Sequence, residues 1–208
     1  MAFENFELDE HGWPVVIAIG LLIGFALLSA FTGFSAVTGR FLDLLLAFRI
    51  DFNLAYSLIP IYLNWLVADY YQERRGTSFG NAISNGFMGL WVSMDWFRTA
   101  QQRFSVNGDF GFMIGKAIFG IGILTYAGFI IRAAAQGKKI AHFVGRIREV
   151  SYVAIMLTPL VYEAVPLDLV TLAAMILFFP IFYGTAELID YYILPPSKAE
   201  LAEAEEKA

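Results

Sequence analysis

The sequence predicts an all-α protein, a polytopic bundle of transmembrane helices with five (or six) membrane spans and one or two interfacial amphipathic helices. Of its 208 residues 58% are hydrophobic and 16% are charged, whereas a soluble domain carries about 25% charged residues. The mean hydropathy is +0.62. Several apolar runs exceed the ~20 residues that a helix needs to cross a hydrocarbon core of ~30 Å. These observations indicate a chain embedded in lipid.

Five apolar runs predict the spans in order along residues 1–194, which we expect to form one membrane domain. The runs are about Pro14–Thr38, Phe52–Tyr71, Phe110–Ile131, Ser151–Pro166 and Leu169–Leu194. Acidic rather than basic residues precede the first run, and it is too long for the apolar core of a cleavable signal peptide, so it is predicted to be a permanent span. The polar segment 195–208 is predicted to be an acidic tail.

The segment Phe79–Phe97 is the main ambiguity in the topology. Its apolar residues recur at helical spacing, with Asn81 and Asn85 on the opposite face. This pattern is typical of an amphipathic helix in the membrane interface, and the five-span prediction assigns it there. The alternative is a sixth span. A second, shorter interfacial helix is predicted over Arg40–Arg49.

Basic residues predict the orientation of the chain. Arg132, Lys138, Lys139, Arg146 and Arg148 gather between the third and fourth spans. The positive-inside rule places that loop, and with it the C-terminus, in the cytoplasm. Five spans then put the N-terminus outside, and six would put it inside.

Lys116 and Glu163 are predicted to lie at the same depth, near the outer ends of the third and fourth spans. An ionisable residue in lipid costs a few kcal/mol, so each needs a partner or a water-filled cavity. We therefore predict an ion pair between adjacent helices. Its role is either a proton or ion step or a structural clamp, and Lys116 can also extend toward the headgroups.

A second polar group is predicted at the inner end of the last span. Tyr183, Glu187 and Asp190 are spaced four and three residues apart, on one helix face. The functional interpretation is a cation or proton site at Glu187. The structural interpretation is that Glu187 and Asp190 pair with the basic loop.

Asn64 and Asp69 lie in the second half of the second span, beyond Pro60. A proline leaves one helix carbonyl without its donor, and polar neighbours can satisfy it. The segment is therefore either a broken helix at a permeation site or a tolerated kink. Asp69 is predicted to pair with Arg74 or Arg75 at the interface.

Two pairs of glycines predict close helix packing. Gly20 and Gly24, and Gly111 and Gly115, are each four residues apart. This spacing lets two helix backbones approach, either within one chain or between copies.

No catalytic, cofactor or metal signature is present, so we predict a non-enzymatic protein without cofactors. The chain has no cysteine and two histidines, His11 and His142, both outside the spans. No nucleotide-binding loop occurs, and no basic stripe is available for nucleic acid.

Two functions remain as hypotheses. The first is a structural or accessory subunit of a membrane assembly. The alternative is an oligomeric channel or small transporter that uses Glu187, Glu163 and Lys116. The expected partners are membrane lipids and either further copies of the chain or other membrane subunits.

Overall fold

The computed structural model describes residues 19–20, 23–24, 34–72, 77–108 and 110–189. Within these ranges every regular element is a helix, and no strand occurs, so the all-α prediction is confirmed. The helices are α1 (Phe34–Leu45), α2 (Leu54–Gln72), α3 (Phe79–Asn107), α4 (Phe110–Ala135), α5 (Ala141–Val144), α6 (Ile147–Val161) and α7 (Leu169–Leu188). A 3₁₀ turn at Ala47–Arg49 follows α1.

Two of the described helical segments are long and apolar enough to cross a membrane. They are Met113–Ala135 of α4 and the whole of α7, with mean hydropathies of 1.8 and 2.0. Only 22% and 39% of these segments are buried. Side chains such as Ile118 and Ile176 point outward, whereas the core helix of a soluble protein buries its apolar residues. The outward apolar faces suit a lipid environment.

The five-span bundle is not confirmed by the fold. The predicted spans Phe52–Tyr71 and Ser151–Pro166 correspond to α2 and α6, which do not combine the required length and apolarity. Most of the first predicted span lies outside the described residues, as does the tail 195–208.

The chain divides into two compact units, residues 42–168 and residues 1–41 with 169–208. In the second unit, α1 packs on α7: the rings of Phe41 and Phe178 stack with centroids 4.3 Å apart. Arg40 Nη1 donates a hydrogen bond to Thr171 Oγ1 at 2.9 Å. The segment predicted as a short interfacial helix, Arg40–Arg49, is instead the end of α1 plus the 3₁₀ turn.

Helix α3 has well-defined ends and is ten residues longer than the predicted segment. At its start Ser78 Oγ accepts a hydrogen bond from the backbone N–H of Asn81 at 3.1 Å, which satisfies a free donor. At its end Gly108 has a φ of 67°, a left-handed conformation that glycine adopts at low cost. The helix therefore runs from Phe79 to Asn107 rather than ending at Phe97.

Helices α3 and α4 form an antiparallel hairpin along most of their lengths. A Cβ atom on Gly89 would lie 2.9 Å from Ala127 Cβ, and one on Gly120 would lie 2.9 Å from the ring of Phe97. Helix α3 therefore lies lengthwise along α4. The interfacial position of Phe79–Phe97 stays a prediction.

Helices α2 and α6 form the other antiparallel pair of this unit. Ser57 near the start of α2 meets Tyr162 after the end of α6, and Asp69 near the end of α2 meets Arg148 in the first turn of α6. We call the end that contains Asp69 and Arg148 the basic end. Thr77, before α3, also lies there, because its carbonyl oxygen bonds to Nδ1 of His142.

Candidate functional site

A polar cluster lies between α2, α3 and the end of α6. Asp95 Oδ2 accepts hydrogen bonds from Ser57 Oγ at 2.7 Å and from the Tyr162 hydroxyl at 2.8 Å. The two hydroxyl groups are themselves 2.7 Å apart. Asp95 Oδ1 accepts a bond from Arg98 Nη2 at 2.6 Å. Both carboxylate oxygens of Asp95 are therefore engaged, one by hydroxyls and one by a guanidinium.

Three separate elements hold this cluster in place. Asp95 and Arg98 are three residues apart on α3, so they lie on neighbouring turns of one helix face. Trp96, 1% exposed, fixes the rotation of α3 because its Nε1 donates to Thr158 Oγ1 of α6 at 3.1 Å. That contact brings the end of α6, and Tyr162 beyond it, alongside Asp95.

The register of the α3–α4 hairpin gives the depth of the cluster. Since Phe97 is level with Gly120, Asp95 is level with about Gly122. Gly122 is nine residues from Met113, the start of the apolar segment Met113–Ala135, which is about 14 Å of helix. Asp95 is therefore close to the middle of the most apolar part of α4 rather than at its end.

Two cavities adjoin the cluster, where α2 begins and α6 ends. The smaller, of about 250 Å³, includes Ser57, Asp95 and Arg98 in its lining. The larger, of about 680 Å³, lies beyond Arg98 and Tyr162. Its lining is Asp51, Asn53, Tyr56, Arg98, Thr99, Gln102, Arg103, Val106 and Tyr162. Arg98 belongs to both linings and connects the carboxylate with the larger space.

Asp69 has a partner that the sequence analysis does not name. Its Oδ1 accepts a hydrogen bond from Nε of Arg148 at 2.6 Å, and the exposed fractions of the two side chains are 8% and 1%. Arg148 was expected in the basic loop but belongs to α6. The predicted partners, Arg74 and Arg75, lie outside the described residues.

Lys116 and Glu163 both lie near the C-terminal end of α6. Lys116 Nζ donates to the carbonyl oxygen of Leu160 in the last turn of α6 at 2.5 Å. Glu163 is exposed in the turn after α6, with a φ of 62°. A direct Lys116–Glu163 ion pair stays a prediction.

Of the other predicted polar positions, Asn64 belongs to the same unit as the cluster but is not part of it. Asn64 is exposed and donates to the sulfur of Met88 at 2.9 Å. On α7, Glu187 is buried and Tyr183 is half-buried, with its ring 6.3 Å from that of Phe179. Asp190 lies outside the described residues.

The predicted glycine pairs are not where the described helices approach most closely. Cβ atoms on Gly20, Gly24 and Gly115 would meet no described atom within 4 Å, and Gly111 is exposed. Contact of these glycines with another copy of the chain stays a prediction. The close approaches within the unit occur instead at other glycines, namely Gly86, Gly89, Gly120 and Gly145.

Asp95, Ser57 and Tyr162 were absent from the sequence-based site. One signal was available: Asp95 interrupts the apolar stripe of a helix and is followed three residues later by Arg98. Nothing in the sequence pairs Asp95 with Ser57, 38 positions before it, or with Tyr162, 67 positions after it.

The cluster supplies one carboxylate, three hydroxyl or guanidinium partners and an adjoining cavity. In the part of the chain that the structure describes, no group of three or more acidic or histidine side chains could hold a metal ion. The arrangement can bind a polar or charged solute, or exchange a proton at Asp95. No protein family matches this chain, and no characterised protein or solved structure is detectably similar to it.

Proposed function

We propose that the chain is a multi-pass membrane protein with six crossings, in which α3 is a span rather than an interfacial helix. Two features support this topology. Helix α3 lies lengthwise against the most apolar part of α4. Thr77, before α3, contacts His142 in the basic loop, so α3 begins on the same side as that loop. With six crossings and the basic loop in the cytoplasm, both termini are cytoplasmic.

Single-cysteine labelling tests this topology directly, because the chain has no native cysteine. Ser78 and Val106 are exposed near opposite ends of α3. In right-side-out vesicles we expect a membrane-impermeant maleimide to label Val106→Cys at once and Ser78→Cys only after permeabilisation. Lys138→Cys in the basic loop is the protected control. Immediate labelling of both α3 positions would instead support five spans with an interfacial helix.

We further propose that this protein belongs to the channel or small-transporter class. It would move a small polar or charged solute through the two cavities beside Asp95. The observation that carries this proposal is Asp95, a carboxylate near mid-depth of the apolar hairpin at the boundary of an open cavity. Ionisable groups at such depth are costly and mark solute or ion pathways in membrane proteins. Glu187, Glu163 and Lys116 stay as further candidates in the same function.

Flux through reconstituted protein tests the transport proposal. We expect proteoliposomes loaded with a pH-sensitive dye, and planar bilayers in sodium and potassium salts, to report flux above protein-free membranes. Asp95→Asn should lower the flux at least tenfold, since the neutral amide keeps the size of the side chain but removes its charge. Asp43→Asn, at an exposed carboxylate on α1, is the matched control. Background flux from monodisperse wild-type protein would contradict the proposal.

A subunit function is the second proposal, and Trp91 favours it. Trp91 is 68% exposed, and in the register of the hairpin it faces outward near mid-depth. Tryptophan in membrane proteins concentrates at the headgroup level rather than at the centre of the bilayer. Phe87 and Met94, also exposed, continue the same face, which suits contact with another protein. Purification in mild detergent separates the proposals, since a subunit stays with a stoichiometric partner.

A further inference from the structure

We propose that the larger cavity binds a phosphate group between Arg98 and Arg103. This inference rests on the proposed transport function and names the chemical class of its solute. The cavity volume of about 680 Å³ falls within the range of small-molecule sites, about 300–1,000 Å³. Two sources present the same phosphate oxygens. The group belongs either to a soluble phosphate ester or to a phospholipid headgroup.

The two arginines stand at opposite edges of one face of α3. At ~100° per residue, the positions that line the cavity span about 140° of the helix, with Arg98 and Arg103 at the two limits. Gln102 and Thr99 lie between them and offer neutral donors. A carboxylate is satisfied by one bidentate arginine, whereas a phosphate carries more oxygens and more charge, which suits two separated guanidinium groups.

The charges around the cavity favour an anion. Arg98 and Arg103 face one acidic lining residue, Asp51, whose Oδ1 already accepts two hydrogen bonds from Asn53, at 2.9 and 3.0 Å. Asp95 lies outside this lining, and both its oxygens are engaged. The described lining therefore carries two positive charges and one negative charge.

Arg98 has donors to spare for a ligand. Its side chain is 59% exposed, and one terminal nitrogen bonds to Asp95, while a guanidinium group has five N–H donors. Asp95 therefore acts as an internal counter-ion that competes with the bound anion for Arg98. Removing its charge should strengthen phosphate binding even though it stops transport.

Calorimetric titration of the full chain in detergent micelles, with inorganic phosphate and with glycerol 3-phosphate, tests the site. We expect Arg98→Gln and Arg103→Gln each to weaken binding at least tenfold and Asp95→Asn to tighten it several-fold. Arg132→Gln, at an exposed arginine on α4 near the basic end, is the control. A structural role alone for the Arg98–Asp95 pair predicts weaker binding in Asp95→Asn, which would overturn the proposal, as would unchanged binding in Arg103→Gln, whose exposed side chain puts the fold at little risk.

The source of the phosphate is resolved in nanodiscs of phosphatidylglycerol or phosphatidylcholine. If wild-type protein retains phosphatidylglycerol and Arg103→Gln does not, the ligand is a lipid headgroup. If wild-type protein binds glycerol 3-phosphate saturably, the ligand is a soluble ester. Failure of both arms overturns the phosphate site and leaves the flux measurement to decide on transport. Phosphate binding without uptake of phosphate into proteoliposomes would remove transport and leave the site.

Discussion

Replacing Arg148 with methionine is expected to destabilise the fold by about 3–5 kcal/mol. The substitution leaves the carboxylate of Asp69 8% exposed and without the guanidinium that neutralises it. Breaking a buried ion pair from one side costs this much because one charge stays buried and uncompensated. The two side chains also join α2 to α6, so the loss should affect the whole antiparallel pair.

The free energy of unfolding in mixed micelles of sodium dodecyl sulfate and a mild detergent measures the effect. Arg132→Met, at an exposed arginine near the same end, should change this free energy by less than about 0.5 kcal/mol. The double variant Asp69→Leu with Arg148→Met should recover part of the loss, since both charges of this ion pair are then removed. A single variant as stable as wild type, or a double variant worse by the sum of both single changes, would contradict this assignment.

The Asp69–Arg148 pair also shows where prediction from sequence is limited. Arg148 ends a run of basic residues, and the positive-inside rule treats such a run as a loop. The rule is sensitive to charge but not to helix rotation, and the first turn of α6 directs Arg148 inward. Asp69 was therefore assigned to Arg74 and Arg75, which are nearer in sequence than the residue that meets it in space.

Apolar runs predicted α2, α4 and the start of α7 to within a few residues, because length and hydropathy suffice to specify such segments. The predicted end of the last span, Leu194, lies outside the described residues. Helix α3 was harder. Its apolar stripe fades after Phe97, where Arg98, Gln102 and Arg103 follow, and the pattern matches an interfacial helix. In the structure those polar residues line a cavity. An amphipathic pattern indicates which face is polar, but it does not distinguish bulk water from the lining of an open polar cavity.

The candidate site depended on a different kind of information. Ser57, Asp95 and Tyr162 belong to three elements, and only the pairing of α2 with α6 and of α3 with α6 brings them together. Ser57 and Tyr162 alone are unremarkable, since hydroxyl groups and aromatic rings are common. The position of Asp95 beside the middle of the apolar segment of α4 follows from the hairpin register, which required the contacts of Gly89 and Gly120.

Replacing Gly89 with leucine is expected to destabilise the α3–α4 hairpin by about 3 kcal/mol, the upper part of the usual range for overpacking. A single added carbon at Gly89 would already lie 2.9 Å from Ala127 Cβ, on a helix whose backbone cannot move away without losing its other contacts. The alanine variant should lie between glycine and leucine. The same unfolding measurement in mixed micelles gives the values.

Gly115→Leu is the matched control, because it makes the same substitution on α4, where an added carbon meets no described atom within 4 Å. In a helix interior leucine is intrinsically favoured over glycine by up to about 1 kcal/mol, so this variant should be as stable as wild type or slightly more stable. A loss at Gly115 equal to that at Gly89 would contradict the assignment and would mean that the Gly111–Gly115 face is covered by a contact outside the described residues. The difference between the two variants therefore shows which glycines the α3–α4 contact requires, which four-residue spacing alone does not.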